Sequence, residues 1–294
     1  MITPYSNIIS VTTLAPNLLL DTYSGAAAAY SLRGLNTEYV NGLNPYAVTV
    51  RNGAGDHANI GFVFNSLTGD YDLDVDALLA HCVGSNGFVT DWYDQSGNGY
   101  DATQTTAASQ PQIVSSGSVI LENGKPALSF DGGNDWFEFN SFNSNAGDLQ
   151  ISIFATLKSD FSKLSQQSQL ITTNNSTYGN ILRTGVGTDG VFITVASGDQ
   201  ISGTMTSNQS VVGIFVTNSS TYNSVNGLTD GNYVNRNLVL EANAFWSIGQ
   251  EYDPGGINGD FFDGKIQEIE IYLSDQSSNR TGIESNINNF YSIY

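Results

Sequence analysis

Carboxylates gather in two short stretches of this chain, and both are followed by glycine-rich turns that could aim them at a ligand. In Asp91-Trp-Tyr-Asp-Gln-Ser-Gly-Asn-Gly-Tyr-Asp101, a β-favouring run ends in a polar turn carrying Asp91, Asp94 and Asp101. In Gly124-Lys-Pro-Ala-Leu-Ser-Phe-Asp131, a tight turn at Asn123-Gly124 precedes a short alternating run and a second turn that brings in Asp135. Carboxylate oxygens suit a hard cation, so calcium is the cofactor that Asp91, Asp94 and Asp101 could hold. The same oxygens could accept hydrogen bonds from sugar hydroxyls, or from backbone N–H groups of their own loops.

Aromatic faces are the other half of sugar recognition. Most of the 3 Trp, 15 Tyr and 15 Phe fall where a strand would turn them into a core. Tyr100, Trp136 and Tyr252 flank polar turns instead, and with Asp94 they form the candidate carbohydrate-binding set. Asp70, Asp72, Asp74 and Asp76 make an acidic ladder without EF-hand order, since Val75 stands where glycine is required. His57, His81 and the single Cys82 cannot assemble a familiar zinc set.

The elements that must position these groups read as mainly β. Segments at 136–139, 149–157, 190–196, 211–217, 238–248 and 261–273 alternate with period two between clusters of Gly, Asn, Ser and Asp, which argues for an antiparallel sandwich. Helices are expected at Asp21–Leu35, where an alanine run costs little entropy, at Asp76–Val83, and over Ser274–Tyr294 with Ser274 or Asp275 as cap. Residues 1–20 read as an extended N-terminal arm and 21–294 as one domain.

Nine basic against 28 acidic residues leave a formal charge of −19, which repels phosphate backbones and anionic membranes. Nucleic acid is therefore not an expected partner. One cysteine allows no intrachain disulfide. No apolar run approaches the roughly 20 residues that span a bilayer, and the first residues do not read as an export signal. Synthesis in a reducing cytoplasm is expected.

Several of these stretches are similar to a known family. Tyr23-Ser-Gly-Ala-Ala-Ala-Ala-Tyr-Ser-Leu-Arg33, Ala47-Val-Thr-Val-Arg51, Trp92-Tyr-Asp-Gln-Ser-Gly-Asn-Gly99, Asp101-Ala-Thr-Gln104 and Gln110-Pro-Gln112 resemble the catalytic domain of alpha-L-arabinofuranosidase B. Phe262-Asp-Gly-Lys-Ile-Gln-Glu-Ile-Glu-Ile-Tyr272 resembles the closing strand of laminin-G-like and pentraxin-like domains. Both imply a concanavalin A-like antiparallel β-sandwich of jelly-roll type, with a few short helices. The family's acid/base aspartate falls at Glu251 or Asp253. Its nucleophilic glutamate has no counterpart on the strand from Val191, where Asp199 is the nearest carboxylate. A retaining glycosidase needs two carboxyl groups, one of them the nucleophile.

These readings lead to an expectation of a bacteriophage virion protein without hydrolytic activity, from a tail, fibre or head decoration. It would associate with other virion proteins or itself and meet a host surface glycan, without inserting into a membrane. The alternatives are an active arabinofuranosidase using Glu251, Asp253 and Asp199, and a cell-surface carbohydrate-binding adhesin.

Overall fold

The computed structural model describes residues 18–140, 142, 148–160, 168–173, 182–187, 190–195, 200–203, 208–217, 220–234, 238–239, 246–253 and 256–294. Helix α1 (Leu19–Thr22) leads to β1 (Ala28–Ser31), helix α2 (Thr37–Val40), then β2 (Tyr46–Asn52), β3 (His57–Phe64), β4 (Tyr71–Leu73) and helix α3 (Val75–Cys82). Next come β5 (Gly87–Trp92), β6 (Ala102–Thr103), β7 (Gln112–Ser115), β8 (Ser118–Val119), β9 (Leu121–Glu122), β10 (Lys125–Pro126), β11 (Leu128–Asp131) and β12 (Phe137–Phe139). The second half supplies β13 (Asp148–Leu149), β14 (Ile151–Ser159), β15 (Ser168–Thr173), β16 (Leu182–Gly187), β17 (Gly190–Val195), β18 (Gln200–Gly203), β19 (Ser210–Val216) and β20 (Thr221–Val225). The chain closes with β21 (Leu228–Val234), β22 (Leu238–Val239), β23 (Trp246–Ile248), β24 (Glu251–Asp253), β25 (Gly256–Gly259), β26 (Asp263–Tyr272) and helix α4 (Arg280–Tyr291).

Pairing is antiparallel throughout and builds the expected sandwich. One sheet runs β21-β20-β19-β14-β26, with β1 and β11 end to end along the far side of β26. The other runs β3-β2-β5-β6-β12-β23-β15-β16-β17-β18. β7 joins them by pairing with both β5 and β11. Between the sheets, Ile153, Ala155, Ile214, Ile269 and Ile271 of the first meet Val48, Val89, Trp92, Phe137 and Trp246 of the second in one apolar core. Inward-pointing apolar residues at every second position are what period two requires of a half-covered sheet.

The outer face of the first sheet is covered. Leu19 and Leu20 pack there with Phe154, Phe215, Tyr272 and the α4 residues Ile283, Ile287 and Tyr291. Leu18 is buried as well, so the last residues of the span read as an arm are packed into the fold. Beneath α4 lies a charged group shut off from water. Arg33 is 2% exposed and Glu268 0% exposed. Arg33 Nε and Nη2 donate to Glu268 Oε2 and Oε1, both at 2.7 Å, while Ser31 Oγ at 2.7 Å and Tyr291 OH at 3.1 Å also donate to Oε2. Burial alone would raise the Glu268 carboxyl, but the charge and hydrogen bonds of Arg33 hold it below its ordinary value. Glu270, two residues along the same strand face, is pushed far up by burial and then by the Glu268 charge. The two neighbouring carboxyls are thus pushed in opposite directions, with Glu268 held toward its charged form by Arg33 and Glu270 toward its neutral form.

Two helix expectations change. The alanine run is strand β1, not helix. Gly25 stops the preceding turn with φ +88, and β1 then lies between the core, which takes Ala28 and Tyr30, and the covered outer face, which takes Ala29, so all four of its residues are buried. Tertiary packing overrides the helix propensity of alanine here. Helix α4 starts at Arg280 because Asp275 Oδ1 accepts Ser277 N–H at 2.9 Å in an Asx turn ahead of it. Helix α3 forms as expected, with Asp74 accepting Ala77 N–H at 2.9 Å as its cap. No helix among the described residues is long and apolar enough to cross a membrane.

Removing Arg33 leaves Glu268 charged and unpaired, so Arg33→Met is expected to cost about 3–5 kcal/mol in urea unfolding. Glu270→Gln keeps a donor of the same shape beside Glu268 and is expected to change stability by less than about 1.5 kcal/mol. Equal losses for the two variants would contradict the opposite shifts of Glu268 and Glu270.

Candidate functional site

The signature turn serves the scaffold. Asp94 is 3% exposed. Its Oδ1 accepts the N–H groups of Ala29 at 2.8 Å and Ser96 at 2.9 Å, and its Oδ2 accepts Ser96 Oγ at 2.8 Å and Tyr100 N–H at 3.1 Å. The neighbouring Gln95 accepts Leu35 N–H at 2.8 Å and donates to the carbonyls of Ser31 and Arg33 at 3.0 Å. Asn98 donates to the carbonyls of Ala26 and Ala27. Gly97 and Gly99 supply the positive φ that folds these side chains back onto β1. Asp94, expected at a sugar or a cation, is therefore bound to the backbone of its own loop and of β1. Asp101 Oδ1 accepts Asp94 N–H at 2.9 Å, and burial, then the charges of Asp94 and Asp91, leave its carboxyl raised despite that bond. Among the described residues, no three His, Cys, Asp or Glu converge to hold a metal ion.

Other expected site residues are dispersed. The β6–β12 register sets Thr103 opposite Glu138, which places Tyr100 and Trp136 at opposite ends of that ladder. Tyr100 packs edge-on against Phe142 with ring centroids 4.8 Å apart. Glu251, Tyr252 and Asp253 lie on β24, which pairs with β25 as a small separate hairpin, and their side chains are outside the described residues. Asp199 is also outside them. Strands β17 and β18, on either side of Asp199, carry no carboxylate.

What the structure does bring together is a polar row across the outer face of the second sheet, exposed at Asn59 and Glu138 and buried at Thr49 and Ser247. Registry places Asn59, Thr49, Asp91, Thr103, Glu138 and Ser247 side by side on β3, β2, β5, β6, β12 and β23. Residues directly opposite share a face, so at the spacing of paired strands this row runs about 24 Å. At one end Tyr93 lies over it. The Tyr93 hydroxyl is 2.8 Å from Thr49 Oγ1, and Thr49 Oγ1 donates to Asn59 Oδ1 at 2.9 Å. The Tyr46 ring tilts against Tyr93 with centroids 5.9 Å apart. In the next row Arg51 sits 4.9 Å over the Phe88 ring and donates to Gln110 Oε1. A ring face flanked by amide, hydroxyl and carboxylate groups has the chemistry to stack on a sugar and bond its hydroxyls. Period two marks Thr49 and Asn59 as outward-facing, but only strand registry puts them beside Asp91 and Glu138.

At a corner of the core, Asp131 N–H donates to Asp135 Oδ2 at 3.0 Å. The two aspartates expected to meet do so, through a turn bond. Asp135 is 7% exposed, and burial followed by the Asp131 charge pushes its carboxyl from 3.8 up to about 7.

No family model and no curated protein sequence matches this chain. Solved structures do. A mutant GH54 α-L-arabinofuranosidase soaked with 4-nitrophenyl α-L-arabinofuranoside superposes with a TM-score of 0.65 at 14% identity, over 92% of this chain and 64% of that one. An arabinofuranosidase complexed with arabinofuranosyl-alpha-1,2-xylobiose superposes at 0.63 with 17% identity over the same shares. The chain thus spans 64% of the length of these enzymes, and at such identity the likeness is one of fold. It places the chain among antiparallel β-sandwiches.

Between about pH 4 and 7 the native state keeps an Asp135 proton that the unfolded chain has lost, so stability falls as pH rises. Asp135→Asn is expected to gain in melting temperature over the parent as pH goes from 4 to 8, with the gap levelling above 7. A gap that does not change with pH would contradict the raised pKa.

Proposed function

We propose that the chain is a saccharide-binding sandwich that acts without hydrolysis, using the open face of its second sheet. The observation that carries this reading is the polar row from Asn59 to Glu138, capped by the Tyr46–Tyr93 pair. Loss of hydrolysis is supported by β17 and β18, which offer no carboxylate where an arabinofuranosidase nucleophile would stand.

In this reading the working place is a bacteriophage particle, where the domain is a tail, fibre or head-decoration component that presents the open face to a host surface glycan. The charge of −19 supports a partner other than the packaged nucleic acid. Residues ahead of the sandwich would dock it to other virion proteins. An active arabinofuranosidase remains the second reading, on the strength of the GH54 fold likeness.

A glycan array followed by calorimetry tests the proposal. Tyr93→Ala and Asn59→Ala are each expected to weaken the best glycan at least about tenfold, a loss of roughly 1.4 kcal/mol. 4-Nitrophenyl α-L-arabinofuranoside is expected to stay intact. Turnover of that substrate, abolished by Glu251→Gln or Asp253→Asn, would establish the enzyme instead.

A further inference from the structure

A second recessed surface lies on the opposite side of the molecule. Past the cover of α4, β11, β26 and β14 bring Ser129, Lys265 and Lys158 into one row on the outer face of the first sheet. Two lysines directly opposite each other repel. Glu122 of β9 is set between them, accepting from Lys158 Nζ at 3.2 Å through Oε1 and from Lys265 Nζ at 2.9 Å through Oε2. Lys265 Nζ also donates to the Leu121 carbonyl at 2.8 Å. Although burial would raise the Glu122 carboxyl, its bonds to Lys265 and Lys158 hold it below the ordinary value, so the two ammoniums are fixed around a carboxylate.

Beside this clamp is a cavity of about 400 Å³ lined by Ser129, Phe130, Lys158, Ser159, Asp160, Asp263, Gly264 and Lys265. Phe130 apart, every lining side chain ends in a hydroxyl, an ammonium or a carboxylate. At Gly264, with φ +147, β26 comes so near β14 that a Cβ would strike the Lys158 carbonyl, so the recess depends on the bare backbone there.

We propose that this cavity is a separate site for a single neutral sugar residue. A cation entering it would face two ammoniums. An anion would face Asp160 and Asp263, and an apolar molecule would strip water from charged groups without replacing their bonds. A polyol answers both kinds of group, since its hydroxyls donate to the carboxylates and accept from the lysines. The volume falls at the small end of ligand sites, which suits one ring with a few waters.

Saturation-transfer NMR on the full chain tests this with L-arabinose, D-galactose, D-mannose and N-acetyl-D-glucosamine, and with inorganic phosphate and calcium as competitors. At least one sugar is expected to bind. Its affinity is expected to fall at least tenfold in Asp160→Asn and in Lys158→Met, and to persist in Tyr93→Ala. Asp160 is exposed, so Asp160→Asn tests the site without disturbing packing. The proposal is overturned if none of the four sugars binds, if the cavity variants bind as the parent does, or if phosphate or calcium displaces the sugar. Loss in Tyr93→Ala alone would assign monosaccharide binding to the open face and leave that reading standing.

Discussion

The Arg33–Glu268 ion pair decides which side of this sandwich meets solvent. A buried carboxylate without its cation would be untenable, and a guanidinium is fully used only when its fork is matched. Arg33 comes from the segment after β1, Glu268 from the longest strand, and Tyr291 and Asn286 from α4, which also donate to or accept from the pair. The interaction therefore ties the N-terminal segment and the C-terminal helix to the centre of the first sheet. With that face closed, the second sheet is left as the open one.

The Asp91–Asp101 turn performs the complementary job. It spends its aspartate, glutamine and asparagine side chains on backbone groups between residues 26 and 35 and so fixes the segment from which Arg33 reaches inward. A motif this rich in polar side chains invites a ligand-binding reading. Its geometry is that of an internal brace. Among the described residues, polar groups that reach solvent lie on the strands beside it, at Asn59 and Glu138.

Much of the fold was legible in the chain. Period two in the segments 149–157, 211–217 and 261–273 marked the central strands to within two residues, and Asn123-Gly124 marked the hairpin turn that the structure places between β9 and β10. The alanine run misled because helix propensity is local, whereas the pairing of β1 with β26 is set by distant packing. The sites were less legible for a similar reason. Tyr93 and Thr49 are far apart in sequence, and their contact depends on the β2–β5 register. Lys158 and Lys265 face each other only through the β14–β26 pairing. Chemistry concentrated in one motif was visible, while chemistry assembled across strands was not.

The central claim is that the open face of the second sheet, and not a catalytic pair on the later strands, meets the saccharide. Hydrogen–deuterium exchange of the full chain with its best array glycan tests this most directly. Slowed exchange over residues 46–64 and 87–103, with the glycan recovered intact, is the predicted result. Protection confined to residues 190–203 and 251–259, or release of a sugar during the experiment, would contradict it.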